Sequence, residues 1–164
     1  MRAFLAIAAL ALAAGAAAQS EQATFTYKSI STETALKAAQ AALKRCRDSG
    51  FQVAVAVVDR SGNAMVLLRD RYAGPHTSDT ATGKAWTAVN FRTSTASLAE
   101  QTQPGRPASG IRNLPRVVAI GGGMIIEGGG QLVGGIGVSG APGPDKDEVC
   151  ANAGIAAIED LLEF

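Results

Sequence analysis

His76 is the residue of this chain best suited to chemistry, and it is the only histidine among 164 residues. It follows Gly74-Pro75 at the start of a predicted helix, where the local backbone would hold the ring without burying it. An imidazole can bind iron or transfer a proton near neutral pH. The pattern therefore indicates an iron ligand, an acid-base residue, or a histidine that is simply exposed to water.

Cationic and phenolic side chains lie shortly before this histidine, at Arg69, Arg71 and Tyr72. A guanidinium binds a carboxylate through two parallel hydrogen bonds. A haem needs one or two axial ligands, for which a tyrosine phenolate can replace histidine, and its two propionates need polar partners. The cluster therefore suits a haem, with His76 as the first candidate for the iron, Tyr72 as the second, and the arginines as candidates for the propionates.

Lys84 does not belong to a phosphate-binding loop. The dipeptide Gly83-Lys84 lacks the upstream glycine of a P-loop and falls inside a predicted helix. We expect this lysine to be solvated or ion-paired, or to face the carboxylate of a ligand.

The composition excludes several classes of protein. One histidine and two cysteines cannot form a multi-histidine metal site or a zinc cage. A net charge of +1 without a basic cluster argues against nucleic acid as the main partner. Only 18% of the residues are charged, which favours a homo-oligomer whose subunits cover part of the surface.

Half of the residues from 121 to 140 are glycine, and residues 135–140 match the pattern G-x-G-x-x-G. A dinucleotide-binding fold needs a further strand after the crossover helix, and no such strand is predicted. Ser139 is a poor hydrolase nucleophile, because position 141 is Ala and His76 precedes it in the chain. We interpret the glycines as positions where the backbone approaches another backbone or a flat ligand closely.

The first residues are typical of a secretory signal peptide. Arg2 is followed by an unbroken apolar run over residues 3–14 and by small residues before a cleavage site after Ala18. This run is shorter than the roughly 20 residues that span a bilayer. We therefore predict a signal peptide at 1–18, a lead-in at 19–30 and one domain at 31–164, with a periplasmic or secreted protein that does not insert into the membrane.

Cys46 and Cys150 are the only cysteines, and export would place both in an oxidising compartment. A disulfide would close a loop of roughly 100 residues and would stabilise the fold by restricting the unfolded chain. Two buried thiols that pack as small hydrophobic groups are the alternative. The sequence leaves both possibilities open.

Capping, periodicity and glycine signals predict the order of the elements. Ser31 caps a first helix that ends at Gly50, and residues 51–58 and 64–68 form a hairpin. Helices are predicted over 77–91 and 95–101, followed by a loop over 103–115. The predicted sheet is mainly antiparallel with helices packed on it, which is an α+β fold.

The last third of the chain contains a second hairpin and a final helix. Two short apolar runs, at 124–126 and 132–133, flank a glycine turn at 128–130. Asp145 and Glu148 have the spacing of a capping box, which predicts a helix from Asp145 to the C-terminus.

Five strings in order resemble the GlcG/HbpS family of haem-binding proteins, which is similar to the C-terminal domain of PduO-type proteins. They are residues 57–63 (VVDRSGN), 73–77 (AGPHT), 83–88 (GKAWTA), 134–140 (GGIGVSG) and 147–154 (DEVCANAG). The resemblance covers about residues 31–164. It implies an antiparallel sheet of about five strands flanked by helices on both faces, in a profilin-like or roadblock-like sandwich, and homo-oligomers.

The resemblance also implies a function, an exported haem-binding protein for haem sequestration, sensing, trafficking or slow degradation. His76, or else Tyr72, would lie near the iron. Arg69, Arg71 and Lys84 would bind the propionates, and the loop at 103–115 would border the site.

The alternative is a small-molecule enzyme or accessory factor of glycolate or corrinoid metabolism, with His76 as general base in the same cleft. A purely structural oligomer without ligand is a third hypothesis.

Overall fold

The computed structural model describes residues 23–163, so the predicted signal peptide at 1–18 lies outside the described residues. Short 3-10 turns at Ser109–Asn113 and Glu159–Leu161 accompany four helices and four strands in the described part of the chain. In chain order these are α1 (Thr32–Asp48), β1 (Ala54–Asp59), β2 (Ala64–Arg69), α2 (Thr77–Phe91), α3 (Thr95–Gln101), β3 (Gly123–Gly128), β4 (Gln131–Ser139) and α4 (Pro144–Ala156).

The strands form one antiparallel sheet in the order β2-β1-β4-β3. This confirms the predicted α+β class with a mainly antiparallel sheet. Over residues 23–163 the sheet has four strands rather than about five. The lead-in runs beside β4 without becoming a strand, although the Ile30 N–H donates to the Val133 carbonyl at 2.9 Å.

Helices cover both faces of the sheet, as expected from a first strand that is apolar on both sides. Val53, Val55 and Val57 pack in the main core with α1 and α4. Ala54 and Ala56 point the other way and pack with Ala81 of α2. The small side chains on this second face let α2 lie close to the sheet.

The glycines of β4 serve this close packing rather than a nucleotide. A Cβ on Gly137 would lie 2.0 Å from the Ala81 carbonyl oxygen, and one on Gly135 would lie 2.6 Å from Val89 Cγ2. The predicted strand at 132–133 was too short, since β4 runs on through the G-x-G pattern to Ser139. The glycine-rich segment forms a strand rather than a loop because the backbone of α2 packs into the space that side chains would otherwise fill.

A disulfide joins the two helices on the other face. Cys46 of α1 and Cys150 of α4 have an Sγ–Sγ distance of 2.08 Å and a Cα–Cα distance of 5.5 Å. Both residues are buried. The sequence left a disulfide and two buried thiols as alternatives, and the structure has the disulfide.

Local signals predicted most helix limits well. Ser31 Oγ accepts from the Thr34 N–H at the start of α1, and Gly50 follows its end with a positive φ of 80°. The predicted helices at 77–91 and 95–101 match α2 and α3.

The final helix was predicted with the wrong N-cap and the wrong C-terminal end. It begins at Pro144, with Gly143 as an N-cap that makes no side-chain hydrogen bond, so Asp145 lies inside the first turn. Proline suits this first position because it has no N–H that would remain unpaired. The helix ends at Ala156 and is followed by a 3-10 turn.

Among the described helices, none combines the length and the apolar character needed to cross a bilayer.

Candidate functional site

A cleft of about 480 Å³ opens between the start of α2 and the segment that joins β4 to α4. Tyr72, His76 and Thr80 line one side, and residues 139–144 line the other. The buried side chains of Lys84 and Asp147 lie at its base. Its volume falls in the range of roughly 300–1,000 Å³ that is usual for small-molecule sites.

The backbone around His76 is held by a turn of hydrogen bonds. The Gly74 carbonyl accepts from the Thr77 N–H at 3.0 Å and from Thr77 Oγ1 at 2.7 Å. The His76 carbonyl accepts from the N–H and the hydroxyl of Thr80. The His76 ring lies over Gly74, since a Cβ at position 74 would be 2.7 Å from His76 Cε1 and would displace the ring.

The His76 ring is exposed at the mouth of the cleft. The residue occupies the N-cap position of α2 with helical backbone angles, and its side chain does not cap the helix. A fixed backbone with an imidazole that points to solvent leaves a ring nitrogen for a ligand.

Apolar groups surround this imidazole at the rim. Tyr72 is 78% exposed and Ile120 is 51% exposed, and both line the cleft together with Pro142 and Pro144. Large apolar side chains that are exposed around a cavity are typical of a surface that a ligand or partner covers.

An ion pair lies at the base of the cleft. Lys84 Nζ is 2.8 Å from Asp147 Oδ2 and donates a second hydrogen bond to the Val138 carbonyl at 2.9 Å. The side chains are only 2% and 5% exposed. The other carboxylate oxygen, Oδ1, accepts from the Ala141 N–H at 3.0 Å, so the pair holds one wall of the cleft.

Burial raises the pKa of Asp147 above its ordinary value, and the hydrogen bond and charge of Lys84 oppose that rise. The pKa of the neighbouring Glu148 is also raised, first by burial and then by the negative charge of Asp145. Burial therefore disfavours the ionised form of both carboxyl groups.

The structure brings together three of the five predicted site residues. Tyr72, His76 and Lys84 line one cleft, whereas Arg69 and Arg71 line an adjacent one that shares Tyr72. Lys84 is bonded to protein groups, as the ion-paired alternative predicted.

The loop at 103–115 borders a different cavity from the one that contains His76. Its residues line a cavity of about 410 Å³ with Thr102. Arg112 explains this placement, because its Nε donates to the Thr102 carbonyl at 2.6 Å and another guanidinium nitrogen donates to the Ala99 carbonyl. These bonds hold the loop against α3.

Two parts of the cleft were missed from the sequence, namely Asp147 and the wall residues 141–144. The string 140–144 (GAPGP) directly after a strand was the available signal, since glycine and proline there predict an ordered turn. Asp147 gave no signal of its own, because its partner lies 63 residues away.

Metal ligation by protein side chains alone is not supported in the region described. No group of three or more His, Cys, Asp or Glu side chains that could hold a metal ion occurs in residues 23–163. A haem iron needs fewer protein ligands, because the porphyrin supplies four ligands and the protein only one or two.

The family model described as haem-degrading protein HbpS-like matches residues 30–156. The chain belongs to the HbpS-like family. This confirms the GlcG/HbpS resemblance that the sequence strings carry.

Solved structures agree with this assignment. A double mutant of Streptomyces reticuli HbpS is 36% identical with a TM-score of 0.79, over 96% of this chain and 99% of that one. A structure described as a PduOC:haem complex is 34% identical with a TM-score of 0.75, over 79% of this chain and 95% of that one.

The corrinoid adenosyltransferase PduO of Salmonella typhimurium is a curated relative, 36% identical over 121 residues that make up 73% of this chain. The match spans only 36% of PduO, so the HbpS-like chain corresponds to about a third of that protein.

Proposed function

We propose that this protein binds haem in the cleft between Tyr72, His76 and the wall at 139–144. The observation that carries the proposal is the position of His76, an exposed imidazole on a fixed turn at the mouth of a ligand-sized cleft. Membership of the HbpS-like family and the likeness to a haem-bound relative support the choice of haem.

The chemistry of the cleft fits a haem. The imidazole of His76 would hold the iron of a bound haem, and the phenol of Tyr72 at the same rim is the alternative. Ile120 and the prolines at 142 and 144 offer apolar surface for a porphyrin face. Bound haem would supply redox and oxygen chemistry, while the protein holds and orients it.

We also propose that the protein is exported and acts as a homo-oligomer. The apolar run at 3–14 and the small residues before Ala18 support a signal peptide, and hence a periplasmic or secreted location. A disulfide between Cys46 and Cys150 is consistent with an oxidising compartment. The exposed Leu67 and Leu114 lie outside the cleft and provide apolar surface for contact with a neighbouring subunit.

A second candidate is an accessory role toward a corrinoid in the same cleft. The similarity of this chain to a third of a corrinoid adenosyltransferase favours it. In that case His76 would act as a base or as a ligand of cobalt rather than of iron.

A haemin titration followed by absorbance tests the proposal. We expect a saturable Soret band at fixed stoichiometry, shifted or lost in His76→Ala. If the band persists in that variant but changes in Tyr72→Phe, the iron ligand is Tyr72. Tyr27→Phe is the matched control, because Tyr27 is an exposed tyrosine outside the cleft.

Two results would count against haem. One is a Soret band that grows without saturation in the wild-type protein. The other is loose haemin uptake together with saturable binding of hydroxocobalamin that is lost in His76→Ala. That result would favour the corrinoid role.

A further inference from the structure

An arginine-rich cleft of about 400 Å³ lies beside the His76 cleft. Six residues line it, namely Arg47, Gln52, Arg69, Asp70, Arg71 and Tyr72. Three guanidinium groups face one carboxylate, so the lining carries an excess of two positive charges. Such an excess in a concave surface concentrates anions.

The single carboxylate of this cleft is fully engaged by protein groups. Asp70 is buried, and its Oδ1 accepts from Nε and a second nitrogen of Arg47 at 2.7 and 2.5 Å. Its Oδ2 accepts from the Val53 N–H at 3.3 Å. Asp70 therefore anchors Arg47 from α1 against the end of β2, while the Arg47 side chain stays 54% exposed.

The other two guanidinium groups have donors to spare. One nitrogen of Arg69 donates to the Ala73 carbonyl, and the Arg71 guanidinium carbon lies 5.9 Å from the centre of the Tyr72 ring. A guanidinium has five N–H donors, so these contacts leave most donors of each group available to a ligand.

We propose that Arg47, Arg69 and Arg71 form an anion-binding site for the carboxylate or phosphate groups of a small ligand. Planar guanidinium groups bind both kinds of anion through paired hydrogen bonds. The anion is either free or part of the ligand in the neighbouring cleft, because Gln52 and Tyr72 line both cavities. The proposed anion site depends only on the charges of its own lining residues, so it is independent of whether the protein binds haem.

Calorimetric titration of the ligand-free protein with inorganic pyrophosphate tests the site. We expect saturable binding that weakens about tenfold or more in Arg69→Gln/Arg71→Gln, since hydrogen bonds to charged groups are among the strongest. Binding should also weaken as salt is added. Arg47 is kept, because its removal would leave Asp70 buried and unpaired.

Arg45→Gln is the matched control. Arg45 lies on α1, the helix that also carries Arg47, and it pairs with Ser49 outside the cleft. Far-ultraviolet circular dichroism and an unfolding curve establish that the double variant is folded. Absence of saturable pyrophosphate binding by the wild-type protein overturns the proposal. Equal weakening in the Arg45 variant overturns it too.

Haemin and haemin dimethyl ester separate the two sources of the anion. If the ligand supplies it through its propionates, the double variant weakens haemin but not the ester, and pyrophosphate competes with haemin. If the anion is free, pyrophosphate binds equally with and without haemin. Should haemin not bind at all while pyrophosphate does, the proposed function fails and the anion site stands.

Discussion

Lys84 Nζ and Asp147 Oδ2 lie 2.8 Å apart at the base of the ligand cleft, although 63 residues separate them in the sequence. The pair links α2, which begins next to His76, to α4 and to the opposite wall through Ala141. Buried ion pairs contribute little net stability against apolar replacements, but removing one partner is costly. The pair therefore fixes how the two walls of the cleft face each other.

Lys84→Met should destabilise the protein by about 3–5 kcal/mol, because it leaves the Asp147 carboxylate buried without its cation. Urea unfolding measures the change. The double variant Lys84→Met/Asp147→Leu should recover part of the loss, because it removes the unpaired charge but also removes the acceptor of the Ala141 N–H. Lys44→Met is the control, since Lys44 and Asp48 form an exposed pair whose loss should cost less than about 1 kcal/mol. Equal effects at Lys44 and Lys84 would contradict the assigned role.

Replacing Cys46 and Cys150 together by alanine should lower the free energy of unfolding by roughly 4–5 kcal/mol. The bridge spans a sequence separation of 104 residues, and its removal restores entropy to the unfolded chain. Unfolding curves of wild type and variant, with and without reductant, measure the effect. A wild-type curve that reductant leaves unchanged, at equilibrium, would show that the bridge does not stabilise the fold.

Glu148→Gln should stabilise the protein at about pH 7 and have no such effect near pH 3. Burial raises the pKa of Glu148 above its ordinary value of 4.5, so keeping this carboxylate ionised costs free energy in the folded state but not in the unfolded state. Glu148 therefore stabilises the folded state most when the pH is below its ordinary pKa. This stabilisation is lost as the pH rises through the raised pKa of the folded state. Urea midpoints at both pH values test this. An equal gain at both would mean that the amide simply packs better.

Gly137→Ala should destabilise the protein by about 3 kcal/mol or prevent folding, because the new methyl overlaps the α2 backbone. A Cβ there would lie 2.0 Å from the Ala81 carbonyl oxygen and 2.7 Å from the Ala85 nitrogen. Thermal unfolding measures the loss. Gly110→Ala is the matched control, since no atom lies within 4 Å of its added Cβ, and its melting temperature should stay close to that of the wild type.

Much of the local structure followed from the sequence alone. The limits of α2 and α3, the Ser31 cap and the first hairpin depend on neighbouring residues, and near-neighbour signals suffice for them. The strings around Asp59, His76 and Lys84 also identified the family, which the family model confirms. His76 and Tyr72 were placed in one site because they lie close together in the chain.

Only the tertiary structure decided which distant groups meet. It paired Lys84 with Asp147 and Cys46 with Cys150, and it placed Arg69 and Arg71 in the cleft beside that of His76. It also made the glycine run of β4 a strand, since close contact with α2 replaces the missing side chains. Such contacts depend on how helices and sheet pack, and packing is a property of the whole chain that no short stretch of residues carries.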